Sequence, residues 1–219
     1  MALRYAEAVP TDTVPIHCAP PPWTLHGRGL VALYRQPATW GALMLLRYTD
    51  SPVGPYDELL WATAPHSSPA GPRPQVRQIV VSSEASVRWG RRNWGIPKGL
   101  ARFEWQEEGQ TTQVRISAPD GQLLAHLAYQ TRGSSLPVST TPVPAQFRTL
   151  AQPALDGETG WLLTPVSAVG KVQPARLTVL DAAGFHAPLT QLRPRLTLAV
   201  PQLRLTFPVP DKVGDVALE

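Results

Sequence analysis

Twenty-five prolines in 219 residues, spread from Pro10 to Pro210, limit how long any regular element of this chain can be. That is about twice the usual share. Each proline fixes its own φ, lacks an N–H and biases the preceding residue toward extended backbone. The expectation is many short elements with proline-marked ends.

The apolar runs between these breaks have strand length. Gly29–Arg35, Ala42–Tyr48, Glu58–Ala64 and Val76–Val81 are predicted strands, too short for typical helices. The stretches 51–57 and 66–74 carry Pro, Gly and Ser and are predicted loops. A meander follows over Ala101–Glu107, Thr112–Ala118 and Leu123–Gln130, with a strong turn signal at Pro119-Asp120-Gly121. Gly160–Ser167, Ala175–Leu180 and Pro194–Phe207 complete the strands. In the last, the alternation of apolar residues shifts phase at Pro201, which predicts a bulge. Glu84–Asn93 is the one good helix: Ser82 or Ser83 caps it, Glu84 sits in its first turn, and Gly95 and Pro97 end it.

About ten short strands and one helix predict a mainly β domain, either a barrel or a double-sheet sandwich with few short helices. Residues 131–146 are the best candidate linker but read as a loop inside one domain over 1–219. An irregular arm over 1–22 opens the chain, and 209–219 is a polar tail.

Composition narrows the function classes. Apolar residues at 43% and charged residues at 16% suit a packed core rather than a disordered chain. The net charge of +4 comes from arginines scattered among apolar residues, so no nucleic-acid partner is expected. Cys18 is the single cysteine, which excludes an intrachain disulfide. The five histidines show no ligand spacing, so neither a metal nor another cofactor is expected. No signal peptide and no membrane-spanning run is read, which makes a cytoplasmic protein the expectation.

Lysine is scarce: Lys98, Lys171 and Lys212. The latter two stand in polar stretches. Lys98 sits within Trp94-Gly95-Ile96-Pro97-Lys98-Gly99-Leu100, among apolar and small residues. Two readings stand for it. A buried lysine loses its charge to desolvation and becomes a nucleophile toward carbonyl groups; alternatively its ammonium snorkels to water at a loop edge.

Three stretches occur in order: Pro22-Trp23-Thr24-Leu25-His26-Gly27-Arg28-Gly29 leading to Tyr34-Arg35, then Ser51-Pro52-Val53-Gly54-Pro55-Tyr56-Asp57-Glu58-Leu59-Leu60, then Ser82-Ser83 followed by Gly90-Arg91-Arg92-Asn93-Trp94-Gly95-Ile96-Pro97-Lys98. Together they resemble the acetoacetate decarboxylase-like superfamily over roughly residues 20–105. The resemblance implies a barrel-like β domain, assembled into homo-oligomers. It places Lys98 where the family has its Schiff-base nucleophile and Glu58 where it has an active-site glutamate. Arg91 matches an arginine shortly before the lysine. The chain departs from the pattern at Gly99, where the decarboxylases have a second lysine, at Pro20, where an arginine would hold the substrate carboxylate, and at Leu43, near a second glutamate.

Two functions follow. The first is a Schiff-base lyase of decarboxylase, hydratase or aldol type, with Lys98 as nucleophile and Glu58 as general acid/base. In this reading Arg91 or Arg28 substitutes for the missing carboxylate clamp, and Tyr56 and Trp94 line the pocket. The second is a non-catalytic barrel that keeps the pocket and binds a carbonyl-bearing or apolar small molecule. For each residue a plainer role stands beside these: Glu58 as a solvated charge at a strand start, Arg91 as a helix-end charge, Tyr56 and Trp94 as packing residues.

Overall fold

A computed structural model describes residues 18–214. Strands β1 (Trp23–Arg35), β2 (Trp40–Asp50), β3 (Tyr56–His66) and β4 (Arg73–Val81) form an antiparallel meander. Helix α1 (Glu84–Trp94) leads to the short strand β5 (Lys98–Leu100), which pairs parallel with β4. Strands β6 (Arg102–Glu108), β7 (Thr111–Ser117) and β8 (Leu123–Thr131) make the predicted second meander. Then come β9 (Leu136–Ser139), α2 (Ala145–Arg148), β10 (Thr149–Pro153), β11 (Trp161–Pro165) and the long β12 (Ser167–Asp181). Helix α3 (Ala183–His186), β13 (Leu196–Phe207) and β14 (Asp211–Val213) close the chain.

The large sheet has eleven strands along the path β5-β4-β3-β2-β1-β13-β12-β8-β7-β6, with β9 beside β12; β10, β11 and β14 form a second sheet. The mainly β, double-sheet expectation therefore holds, but the barrel is not closed. The path starts and ends at strands separated by one residue, Ala101, and no ladder joins β5 to β6. Ala101 instead donates its N–H to the Val81 carbonyl at 2.9 Å.

Strands β1 to β4 are covered on both faces. One face packs Leu30, Tyr34, Leu43, Leu45, Leu59 and Trp61 against Val114, Ile116 and Leu127 of the second meander. The other carries Leu25, Leu46, Tyr48, Leu60 and Ile79 toward Trp89, Trp94 and Ile96. Two-sided burial explains why β2 and β3 read as unbroken apolar runs instead of alternating ones.

The bulge expected at Pro201 is present: Pro201 and Gln202 stand opposite the single residue Arg28 between the pairs Gly27–Leu203 and Gly29–Val200. Ser83, rather than Ser82, caps α1 and accepts from the Ser86 N–H; Gly95 ends it in the left-handed region at φ 63°. The expected loop over 131–146 also holds β9 and the start of α2, and the tail holds β14. Of the expected arm, residues 1–17 lie outside the described residues, while buried Ala19 accepts from Trp23 Nε1 at 3.0 Å and Asn93 Nδ2 at 2.8 Å.

Candidate active site

The two-residue alternation of the strands sends Glu58, Leu60 and Ala62 of β3, with Met44 and Leu46 of β2, to one side of the sheet. There they line a cavity of about 480 Å³. Its other walls come from α2, β10, β13 and the start of β12. The wall along β3 runs from Glu58 to Ala64, roughly 20 Å at the usual strand rise. Between those points Leu60, Ala62 and Thr63 line it.

Lys98 borders this cavity from β5 and is only 6% exposed. Its Nζ donates to Glu58 Oε2 at 2.9 Å, to Ser86 Oγ at 2.9 Å and to the Tyr56 hydroxyl at 3.4 Å. Glu58, 4% exposed, accepts a further bond from the Tyr48 hydroxyl at 3.3 Å through Oε1. Tyr48 and Tyr56 are cross-strand partners on β2 and β3 with ring centroids 4.8 Å apart. The ammonium is thus held by three oxygens, and the carboxylate has a partner on each oxygen. Pairing of this kind is what a buried charge requires.

The electrostatics correct one expectation. Burial pulls the Lys98 ammonium toward the neutral form, but the Glu58 charge, Tyr56 and the hydrogen bonds from both outweigh it, so its pKa is raised above the ordinary 10.5. At rest Lys98 is an ammonium in an ion pair, not a desolvated free amine. Burial pushes Tyr56 up to about 12, against the opposing pull of Lys98. Tyr48 is raised well above its usual value by burial and then by Glu58. Both phenols are neutral hydrogen-bonding groups near neutral pH.

Of the residues singled out from the sequence, Lys98, Glu58, Tyr56 and Trp94 all reach the cavity. Trp94 forms its wall and is fixed by a bond from its Nε1 to the Pro208 carbonyl at 2.8 Å. The two arginines do not reach it. Arg91 is engaged by Asp156, with Nε to Oδ2 at 3.1 Å and Nη2 to Oδ1 at 2.5 Å. Arg28 stands opposite the bulge and pairs with Glu107 at 2.6 Å. A nearby carboxylate captured each guanidinium, a partner that linear reading did not supply. Leu43 points to the opposite face of the sheet, into the first core. Gly99 also alternates away from Lys98.

Sequence reading missed Ser86 and Tyr48, and also Arg148, which borders the cavity from the end of α2. Ser86 gave a faint signal, lying one helical turn into α1 beyond the capping serine. Among the described residues no group of three or more His, Cys, Asp or Glu side chains is placed to hold a metal ion. No helix among them is long and apolar enough to cross a membrane.

Comparison with known proteins agrees with this fold. The family model described as acetoacetate decarboxylase (ADC) matches residues 33–159. The chain belongs to the acetoacetate decarboxylase family. Its fold is similar to that of the Legionella pneumophila acetoacetate decarboxylase, at 15% identity over 99% of each chain with a TM-score of 0.65. It is also similar to the enduracididine biosynthesis enzyme MppR complexed with pyruvate, at 14% identity over 95% of this chain and 96% of that one with a TM-score of 0.62. A third similar fold is an acetoacetate decarboxylase-like enzyme from Sphingomonas wittichii, at 10% identity over 97% of this chain and all of that one, with a TM-score of 0.60. At these identities the acetoacetate decarboxylase likeness is one of fold. Among curated proteins, Neoxanthin-deficient 1 of Oryza sativa is 29% identical in a 106-residue alignment covering 40% of this chain. The chain spans about a third of that relative's length, 35%.

Proposed function

We propose that this protein forms a Schiff base between Lys98 and the carbonyl group of a small, largely apolar molecule, and acts on it as a lyase of decarboxylase, hydratase or aldol type. The observation that carries the reading is the buried pair itself: a lysine at a cavity wall with a carboxylate 2.9 Å from its Nζ. A buried ion pair is weak as a stabilising device, whereas an amine beside a proton acceptor is what carbonyl chemistry needs.

The steps balance on these two residues. As a carbonyl enters and displaces the ammonium from its acceptors, Lys98 passes one proton to Glu58. The free Nζ pair attacks the carbonyl carbon, one proton passes from the nitrogen to the oxygen, and the oxygen becomes the hydroxyl of a carbinolamine. Glu58 returns its proton to that hydroxyl, water leaves, and the iminium forms beside the regenerated carboxylate. Tyr48 keeps Glu58 oriented through Oε1, and Tyr56 and Ser86 fix the Nζ position. The positive iminium then accepts an electron pair from the adjacent bond that breaks. The relative MppR is known complexed with pyruvate and with the condensation product of pyruvate and imidazole 4-carboxaldehyde. Carbonyl compounds are therefore suitable first ligands here.

One observation favours a second reading, binding without turnover. The cavity is apolar, and neither Arg28 nor Arg91 reaches it to hold a substrate carboxylate beside Lys98. Borohydride reduction in the presence of ketones, aldehydes and keto acids, followed by peptide mapping, tests the choice. A reduced adduct on Lys98, absent from Lys98→Ala, is expected. A ligand-saturated pocket with no adduct on Lys98 leaves the binding reading.

A further inference from the structure

Among the described residues, Arg148 is the only charged side chain bordering the cavity apart from the Lys98–Glu58 pair. It occupies a different part of the wall. The pair is almost fully buried, while Arg148 is half-buried at the end of α2, and its neighbours Val143 and Phe147 are 40% and 63% exposed. Both neighbours also border the cavity, as does Trp40, which is 45% exposed. These residues form the rim, and the Lys98–Glu58 pair lies in the depth.

What sets Arg148 apart from the arginines first considered for the site is that it borders the cavity with its guanidinium free of a carboxylate among the described residues. Arg28 and Arg47 share Glu107, and Arg91 holds Asp156. Among the described residues Arg148 makes one side-chain bond, from Nε to the Val143 carbonyl at 3.2 Å, and has no carboxylate partner. That bond fixes the plane of the group and leaves its two Nη groups for a ligand. A planar fork of this kind matches a carboxylate. Between rim and depth the walls are apolar: Met44, Leu60, Ala62, Val76, Leu150 and Leu203.

We propose that Arg148 recognises an acidic group at the rim, and that the ligand is an elongated, largely apolar carbonyl compound with that acidic group at the end remote from its carbonyl. This arrangement explains how a family member without an arginine beside its lysine orients a ligand. The carboxylate is held far from the reacting carbon, and the hydrocarbon between them fills the apolar walls. The carbonyl half of the inference rests on the Schiff-base reading; the acidic half does not.

The test uses saturated ω-oxo fatty acids of increasing length and their methyl esters. Two readouts are taken on the full chain, on Arg148→Gln and on Lys98→Ala. The first is equilibrium binding by tryptophan fluorescence, since Trp23 and Trp94 border the cavity. The second is the yield of borohydride-trapped adduct on Lys98. Binding is expected to favour long acids over their esters by roughly five- to tenfold, the range of a half-exposed charge-assisted pair. Arg148→Gln is expected to abolish that preference without weakening ester binding, and Lys98→Ala to retain it. Trapping is expected to peak at one chain length. An acid preference that survives Arg148→Gln, or disappears in Lys98→Ala, overturns the inference, because the carboxylate would then sit on the lysine. Equal binding of acids and esters by the unmodified chain overturns it too. An Arg148-dependent acid preference with no trapping at any length supports the acidic-group site and sinks the Schiff-base reading alone.

Discussion

A β-carbon placed on Gly90 would stand 2.7 Å from Lys98 Cδ and 2.8 Å from its Cε. Helix α1 therefore lies against the stem of the lysine through the one helical position that has no side chain. The same helix supplies Ser86, whose Oγ takes one of the three Nζ bonds. The lysine is clamped along its length by backbone and at its tip by oxygens.

Gly90→Ala tests the clamp. Alanine in place of a helical glycine gains about 1 kcal/mol in propensity, and forcing an extra methyl into a filled contact costs about 1–3 kcal/mol. The expected result is a folded protein with little change or a modest loss of stability. The lysine tip moves by tenths of an ångström, and the rate of borohydride trapping at Lys98 falls by roughly tenfold. Thermal melts and adduct kinetics on the same sample separate the two effects.

Glu58→Gln removes the charge that holds Lys98 protonated while keeping the shape of the site. With that charge gone, burial is left as the largest pull on Lys98 and acts toward the neutral amine. Reductive methylation followed across pH is expected to show Lys98 reacting at markedly lower pH than in the unmodified chain. Breaking one side of a buried pair costs about 3 kcal/mol in stability, less whatever neutralisation of the lysine recovers. An unchanged methylation profile would show that Glu58 does not control the ammonium.

The buried pair and its tyrosines make the fold sensitive to alkali. Lys98 has a folded pKa raised above 10.5, and Tyr56 is raised from 10.0 to about 12. For a raised pKa the native state binds more protons than the unfolded chain between the two values. The stabilisation is complete below the unfolded pKa and is lost as pH rises through the folded one. Unfolding free energy from urea titrations is therefore expected to be flat with respect to these groups near neutral pH and to fall between about pH 10 and 12. Tyr56→Phe is expected to make that fall shallower; an unchanged slope would remove Tyr56 as a contributor.

Ser83→Ala removes the side-chain acceptor of the Ser86 N–H at the start of α1. Loss of such a cap costs about 1 kcal/mol. Because Ser86 itself holds Lys98, the expected signature is a lower melting temperature together with slower trapping. Ser83→Asp, which restores a cap and suits the helix dipole, is expected to recover both.

Much of this architecture was legible in the sequence, and the reasons are local. Proline was a poor guide to element length, since Pro174 lies inside the fifteen-residue β12 and Pro201 inside the twelve-residue β13. Pro119-Asp120-Gly121 announced the turn between β7 and β8. Pro201 announced its bulge, and Ser83, Glu84 and Gly95 bounded α1 within a residue. In each case the signal and the structure it specifies lie within a few residues, where backbone sterics and hydrogen bonding act directly. Strands β9, β10 and β14 gave no such signal, because a short strand in a proline-rich stretch exists through its pairing partner: β9 on β12, β10 and β14 on β11.

The site divides in the same way. Lys98 and Glu58 stood out by their place in a run of residues resembling the family, and Lys98 by its apolar neighbours. The charge state of Lys98 was beyond the sequence, since it depends on a carboxylate forty positions away brought to 2.9 Å. The fates of Arg28 and Arg91 were equally beyond it, because Glu107 and Asp156 lie 79 and 65 positions along the chain. So did the cavity that Arg148 borders, whose walls come from strands far apart in sequence. Local sequence was enough for the turns, the cap and the bulge, and for naming Lys98 and Glu58 as candidates. Tertiary structure alone decided who pairs with whom, since Coulombic and hydrogen-bond energies depend on distance in space, and folding sets that distance independently of separation along the chain.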